Sequence, residues 1–261
     1  MMNTTLAFQA LTNNLTKAVQ RTADAPQNAR DEDYYLANIG KIKSIDDFLA
    51  DDRIYRYAMK AYGLGDMAYA KGLMRKVLEG GVEASNSFAN KLSDARYKEF
   101  ATTFNFARYG SATTAFERTQ KPVVDKYVRQ SFEEEQGAQD DNLRLALYFQ
   151  RKAPSLTNAF QVLADPALLK VVQTAIGLSA NSASMPIDKQ AELIEAKVDF
   201  TKLKDPQELQ SFLTRFTSLT DVESSAASSA ASIVSLIQPS SSIGMSQDVL
   251  FSIQKLRLGG A

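Results

Sequence analysis

Apolar residues recur along most of this chain at the three- and four-residue spacing of an amphipathic α-helix. The clearest stretch is 49–65, LADDRIYRYAMKAYGLG, whose apolar face consists of Ile54, Tyr57, Ala58, Ala61 and Tyr62. No stretch keeps the strict apolar-polar alternation of a half-buried strand bounded by hairpin turns. The pattern therefore predicts an all-α fold.

A degenerate copy of this stretch returns 114 positions later as LADPALLKVVQTAIGL. Asp165 and Pro166 have the order of a helix cap and first turn, and Gly63 and Gly177 stand where a left-handed residue ends a helix. The matching apolar face of the copy consists of Leu168, Val171, Val172, Ala175 and Ile176. Helical proteins often resemble one another at this level, but the matched caps, glycines and faces favour an internal duplication of a multi-helix unit.

The same reasoning divides the chain into five segments. Residues 1–33 are rich in Asn, Thr, Gln and Ala and are interrupted by Pro26, which predicts a flexible polar arm despite a short apolar stripe. The remaining segments are a first helical unit (34–107), connecting helices (108–147), a second helical unit (148–220), and a Ser/Ala-rich spacer followed by a C-terminal amphipathic helix (221–261).

Composition excludes several classes of function. The 261 residues contain 30 basic and 30 acidic side chains without a basic run, which argues against a nucleic-acid partner. The sequence contains no run of 18 apolar residues and therefore predicts no transmembrane helix. The first thirty residues lack the basic and apolar regions of a secretory signal, so export, if it occurs, is expected by another route.

The chain contains no His, Cys or Trp. Thiol and imidazole nucleophiles, and zinc sites built from those groups, are therefore excluded. Catalysis by carboxylates, Lys or Tyr remains chemically open, but no residue stands out, and we expect a non-enzymatic protein with no catalytic residue, metal site or cofactor.

Several clusters have structural interpretations that are simpler than functional ones. Asp46, Asp47, Asp51 and Asp52 lack the glycine and spacing of a calcium loop and are expected to cap helices. Three tyrosines have side-chain rings that can stack on the ring of a bound ligand, but packing in the hydrophobic core is the simpler interpretation. They are Tyr55, Tyr57 and Tyr62.

The predicted C-terminal helix, residues 245–258, is the candidate partner-binding segment, because an apolar helix face beyond a small-residue spacer suits docking into a groove. Its apolar face consists of Val249, Leu250, Ile253 and Leu256. Docking of this helix back onto its own core is the alternative. Two interpretations of the Ser/Ala run at 224–232 also stay open: a flexible spacer, or a helix that approaches a neighbour closely.

Three runs carry a family resemblance: IKSIDDFLADDRIYRYAMKAYGLGD, KVLEGGVEASNSFANKLSDARYKEFATTF and ALYFQRKAPSLTNAFQVLADPALLKVVQTAIGL. They resemble an uncharacterised bacterial family, domain of unknown function 1217, over about residues 34–220. Members are often encoded among flagellar genes, so the resemblance implies a role associated with motility. The family has no assigned activity, and no functional residue is implied.

These considerations give a first hypothesis of a structural or assembly protein of the bacterial flagellum that acts through protein contacts. A cytoplasmic helical adaptor or export chaperone for flagellar components is the alternative, and an enzyme that uses carboxylates is the third possibility. Localisation in the cytoplasm or at the flagellum stays open, as do the identity of the partner and the oligomeric state.

Overall fold

The computed structural model describes residues 3–178, 182 and 184–237, and every regular element in these residues is helical. This confirms the all-α prediction. The α-helices are α1 (Thr4–Asn13), α2 (Leu15–Ala23), α3 (Pro26–Ile39), α4 (Ile45–Ala50), α5 (Asp52–Ala61), α6 (Lys71–Gly80), α7 (Phe88–Lys91), α8 (Ala95–Thr103), α9 (Phe106–Tyr109), α10 (Lys121–Gly137), α11 (Asp141–Lys152), α12 (Ala159–Leu163), α13 (Pro166–Ala175), α14 (Ile187–Glu195) and α15 (Pro206–Ile237).

The chain divides into two compact units, residues 1–220 and residues 221–261. The division of residues 1–220 into the segments expected from the sequence stays a prediction. Within the second unit, residues 221–237 are helical, so the Ser/Ala run at 224–232 has a helical backbone instead of an irregular one. The predicted helix at 245–258 lies outside the described residues.

The first hydrophobic core, which we call the aromatic core, has a cluster of packed aromatic rings. Phe48 is fully buried at its centre, where its ring packs 4.9 Å from that of Phe104 and 6.1 Å from that of Phe100, measured between centroids. Tyr55 and Phe106 approach the same ring from α5 and α9. Such aromatic contacts add about 0.5–1.5 kcal/mol per pair to the effect of area burial.

The second hydrophobic core is mainly aliphatic. Val162, Val171 and Val172 are fully buried in it, together with Leu213 from α15. The N-terminal helix contributes Phe8, whose side chain is also fully buried there. The two cores therefore differ in the size and shape of the side chains that fill them.

Helix α10 takes part in both cores. Val124 and Val128 in its first half pack into the aromatic core, whereas Phe132, about two turns from Val124, packs into the aliphatic core. Since Lys126 and Glu133 lie on the polar side of the same helix, α10 also places charged groups between the two cores.

The N-terminal segment departs from the flexible arm predicted for residues 1–33. The Thr4 hydroxyl donates a hydrogen bond of 2.6 Å to Asp140, and the Thr22 hydroxyl donates one of 2.8 Å to Glu135. Phe8 lies between these anchors, in the aliphatic core. Pro26 occupies the first turn of α3, where its missing N–H costs nothing, so it opens a helix instead of breaking one.

Matched start signals open the two stretches that resemble each other. Ser44 caps α4 by accepting a hydrogen bond of 3.0 Å from the Asp47 amide, and Asn158 caps α12 in the same way with the Gln161 amide at 3.1 Å. The Asp47 carboxylate and the Gln161 amide oxygen then each accept from a backbone N–H four residues earlier. Both are capping boxes extended by one residue.

The next helix pair repeats the correspondence. Asp51 caps α5 and accepts a hydrogen bond of 3.1 Å from the Tyr34 hydroxyl, while Asp165 caps α13 and accepts one of 2.6 Å from the Tyr148 hydroxyl. Each pair spans 17 positions. The predicted capping roles of Asp47, Asp51 and Asp165 are therefore confirmed.

Matched stop signals follow. Gly63 has φ +69° and Gly177 has φ +66°, the left-handed region in which a Cβ is strained. After each glycine, the amide of Leu64 or Leu178 donates to a carbonyl five residues earlier, as in a Schellman ending. The predicted left-handed ends are confirmed.

Candidate functional site

A groove of about 900 Å³ lies between the two cores of the first unit. The end of α5, the start of α8, α10 and α11 form one part of its wall, and the segment from Ser155 to Leu168 forms the other. We call it the charged groove, because five cationic side chains and four carboxylates line it, the latter on Asp94, Glu99, Glu133 and Asp165.

Glu99 lies between two lysines from different helices. Lys126 of α10 forms an ion pair with one of its oxygens, and the Lys152 ammonium of α11 lies 3.3 Å from the other. Burial alone raises the pKa of Glu99, but Lys152 and Lys126 outweigh it and hold that pKa below its ordinary value. The carboxyl group is therefore ionised at neutral pH, which makes it unsuited to donate a proton.

Glu133 is a second carboxylate that two cations share. Its side chain is only 2% exposed, and Arg151 and Arg129 donate to it at 2.7 and 2.9 Å. Burial lowers the pKa of Arg151, but the contact with Glu133 more than compensates, so that pKa stays above its usual value. A buried carboxylate without these two arginines would carry a large desolvation penalty.

The two remaining carboxylates are already engaged by their own chain. Asp94 caps α8 and pairs with Arg96 at 2.7 Å, and Arg96 also donates to the carbonyl of Gly63. Asp165 accepts from two amides of α13 and from the Tyr148 hydroxyl. Burial, with Asp165 beside it, raises the pKa of Tyr148, so the phenol stays protonated.

Part of the groove surface is apolar or small. Phe160 is 49% exposed although it is a large aromatic residue, and it lies beside Ala164 and Ala167 in the groove lining. Gly63 and Ala95 line the opposite side. Side chains this small allow the backbone of a bound molecule to come close.

A second groove of about 620 Å³ lies between α2, α3 and α10. Leu15, Val19 and Val128 supply apolar surface, and Lys121 pairs with both Glu32 and Asp125 at its rim. It is smaller and has fewer cations than the charged groove.

The ionisable side chains of the charged groove are held by contacts within this chain. All four carboxylates accept hydrogen bonds or ion pairs from this chain. In the described residues, no cluster of three or more His, Cys, Asp and Glu has the arrangement of a metal site. Burial raises the pKa of Tyr62 to about 12, which moves this phenol away from proton transfer at neutral pH.

The candidate residues from the sequence have different outcomes. Tyr55, Tyr57 and Tyr62 are buried in the aromatic core, where Tyr57 stacks between Tyr35 and Tyr127 at centroid distances of 4.5 and 3.8 Å. The packing expected of them is confirmed. The predicted partner-binding residues lie outside the described part of the chain; they are Val249, Leu250, Ile253 and Leu256.

Sequence reasoning missed the charged groove. Glu99, Lys126 and Lys152 are separated by 27 and 53 positions and belong to three helices, so their ion pairs leave no local pattern. The helical period places Glu133 on the same face of α10 as Lys126, seven positions earlier, and away from the apolar residues of that helix. Its burial comes from the packing of α11, which supplies Arg151, so it leaves no local signal either.

No helix among residues 3–178 and 184–237 has the length and hydropathy needed to cross a bilayer. The family described as "Protein of unknown function (DUF1217)" matches residues 61–209. An X-ray structure of an Agrobacterium tumefaciens protein from a structural genomics consortium is also similar, at 42% identity with a TM-score of 0.78. The similarity covers 85% of this chain and 96% of that chain. No curated protein matches.

Proposed function

The chain belongs to the DUF1217 family of unknown function, and from this premise we propose that it is a non-enzymatic structural or assembly protein that binds other proteins. One observation carries the proposal. The charged groove is open, and each of its carboxylates is already paired with a donor of this chain, an arrangement that suits docking better than proton transfer or metal chemistry. The pKa of Glu99, held low by two lysines, supports the same conclusion.

The proposed setting is the bacterial flagellum, with flagellar components as partners. The support is the resemblance of the chain to a family whose members are often encoded among flagellar genes. The alternative is a helical adaptor or export chaperone that stays in the cytoplasm and presents the same groove to a flagellar component. The two differ in where the protein is found.

Fractionation of motile cells that carry a tagged full-length protein tests the setting. We expect the protein in sheared filaments or basal bodies, at a constant ratio to known flagellar components. A pool confined to the cytosol that still binds a flagellar component would favour the adaptor. A cytosolic pool with no flagellar partner would overturn both forms of the proposal.

We further propose that the first unit arose by internal duplication, with the helical unit at 34–107 related to the helical unit at 148–220. The matched hydrogen bonds support this, because Tyr34 with Asp51 and Tyr148 with Asp165 recur at a constant offset of 114 positions. So does the identical length of α5 and α13, whose bounds are related by the same offset.

A further inference from the structure

We propose that the charged groove binds an acidic segment of a partner protein, with Lys126 and Lys152 contacting its carboxylates and Phe160 contacting its apolar side chains. The proposal rests on the protein-binding function proposed above and names the chemistry of the partner. Nothing about the groove's charges is evident from the composition, because the chain as a whole has a formal net charge of zero.

The first argument is local charge. Two carboxylates, Glu99 and Glu133, are shared by four cations that come from α10 and α11: Lys126, Arg129, Arg151 and Lys152. Over the whole groove lining, five positive and four negative charges leave a net charge of +1. Glu133 is also the most deeply buried of the six, so the groove surface presents more cation than carboxylate. A negatively charged segment complements it.

The second argument is the supply of donors. Each lysine ammonium has three N–H donors, and its ion pair with Glu99 uses one. The side chains of Lys126 and Lys152 are 35% and 26% exposed, so their ammonium groups can meet a ligand without rearrangement of the core. In contrast, a cationic ligand would find Asp94, Glu99 and Asp165 already occupied by donors of this chain.

The third argument is shape. A helix with its side chains is about 10–12 Å wide, so a groove of about 900 Å³ holds roughly two turns of a partner helix. Phe160 stands exposed in the wall, and Ala164 and Ala167 beside it leave room for a backbone. An amphipathic acidic helix, with apolar residues three and four apart against Phe160 and carboxylates toward the lysines, fits these features.

Site-specific photocrosslinking in the full-length protein tests the proposal. A photoreactive phenylalanine analogue replaces Phe160, and the crosslinked partner peptide is identified by mass spectrometry after irradiation of intact cells. We expect a segment with net negative charge. The double variant Lys126→Gln/Lys152→Gln should reduce its yield by about fivefold or more, because the charges that attract it are lost.

The matched control is Lys189→Gln/Lys204→Gln, which removes two exposed lysines outside the groove lining and should leave the yield unchanged. Thermal unfolding of both double variants shows whether either has lost its fold. If the groove variant does not fold, Phe160→Ala provides the second measurement, because Phe160 is half exposed. It should weaken binding of the identified segment as a synthetic peptide.

Several outcomes overturn the proposal. They are a crosslinked segment that is neutral or basic, a crosslink to a second copy of this chain, and a yield that does not respond to the loss of Lys126 and Lys152. A second variant carries the same photoreactive residue at Tyr69, which is 78% exposed and lies outside the groove. It distinguishes failure of the groove proposal from failure of the proposed protein-binding function. Flagellar proteins captured at Tyr69 but not at Phe160 would leave the protein-binding function standing and remove the groove from it.

Discussion

The aromatic core around Phe48 and the aliphatic core around Val162 lie behind matching sets of helix caps and left-handed glycines. Ser44 corresponds to Asn158, Asp51 to Asp165, and Gly63 to Gly177. The hydrogen bonds at these positions are alike, but the side chains that fill the two interiors are not. The same backbone start and stop signals thus accompany interiors that are filled by different side chains.

The largest difference is expected at the core centres. Phe48→Ala should lower the free energy of unfolding by about 3–5 kcal/mol, because it removes a fully buried ring that packs against several others. Val162→Ala removes only two methyl groups and should cost about half as much. Chemical denaturation of both variants measures the difference. Equal losses of unfolding free energy in the two variants would contradict the expected difference between the aromatic core and the aliphatic core.

The left-handed glycines should respond alike. Gly63→Ala and Gly177→Ala should each lower the unfolding free energy by about 1–2 kcal/mol, since both positions have positive φ. A Cβ at Gly63 would lie 3.5 Å from Arg96 and one at Gly177 would meet nothing within 4 Å, so strain, not crowding, is tested. Gly72→Ala, within α6, is the control and should stabilise the protein. If Gly177→Ala left the unfolding free energy unchanged, this would contradict a left-handed helix ending shared by the two stretches.

The capping aspartates should contribute slightly less. Asp51→Ala and Asp165→Ala should each cost about 1 kcal/mol, the usual effect of losing a cap. A double-mutant cycle with Tyr34→Phe or Tyr148→Phe isolates the tyrosine contact. We expect the larger coupling for Tyr148 with Asp165, because that hydrogen bond is 2.6 Å long, against 3.1 Å for the other pair. A larger coupling at Tyr34 would reverse this ranking.

The smallest expected effect is on the pH dependence of stability in acid. Hydrogen bonds from the Ser44 side chain and the Lys43 amide lower the pKa of Asp47, whereas Gln161 accepts from Thr157 at the corresponding position without titrating. A lowered carboxyl pKa gives stability above the unfolded pKa of about 3.9, and this is lost as pH falls through the folded pKa. Asp47→Asn should therefore flatten the stability profile below about pH 4, and Gln161→Ala should shift it evenly at all pH values. Identical pH dependence in wild type and Asp47→Asn would contradict this.

The sequence predicted correctly those features that depend on residues within one helical turn. The caps at Ser44 and Asp165 and the endings at Gly63 and Gly177 depend on residues within one helical turn. Pro26 was misread because the same residue breaks a helix in its interior and opens one at its first turn. Phe8 packs in the aliphatic core, whose other buried members lie more than 120 residues away along the chain, so the packing of the N-terminal segment has no local signal.

The amino-acid sequence alone determined that the protein is helical, where its helices begin and end in both related stretches, and that thiol and imidazole chemistry is absent. These properties follow from the period of the apolar residues, from caps and glycines that act within a turn, and from composition. The tertiary structure alone decided that the N-terminal segment packs on the distant aliphatic core and that Glu99, Lys126 and Lys152 meet in one groove. Ion pairs between helices depend on how the helices pack, and the spacing of residues along the chain does not encode that geometry.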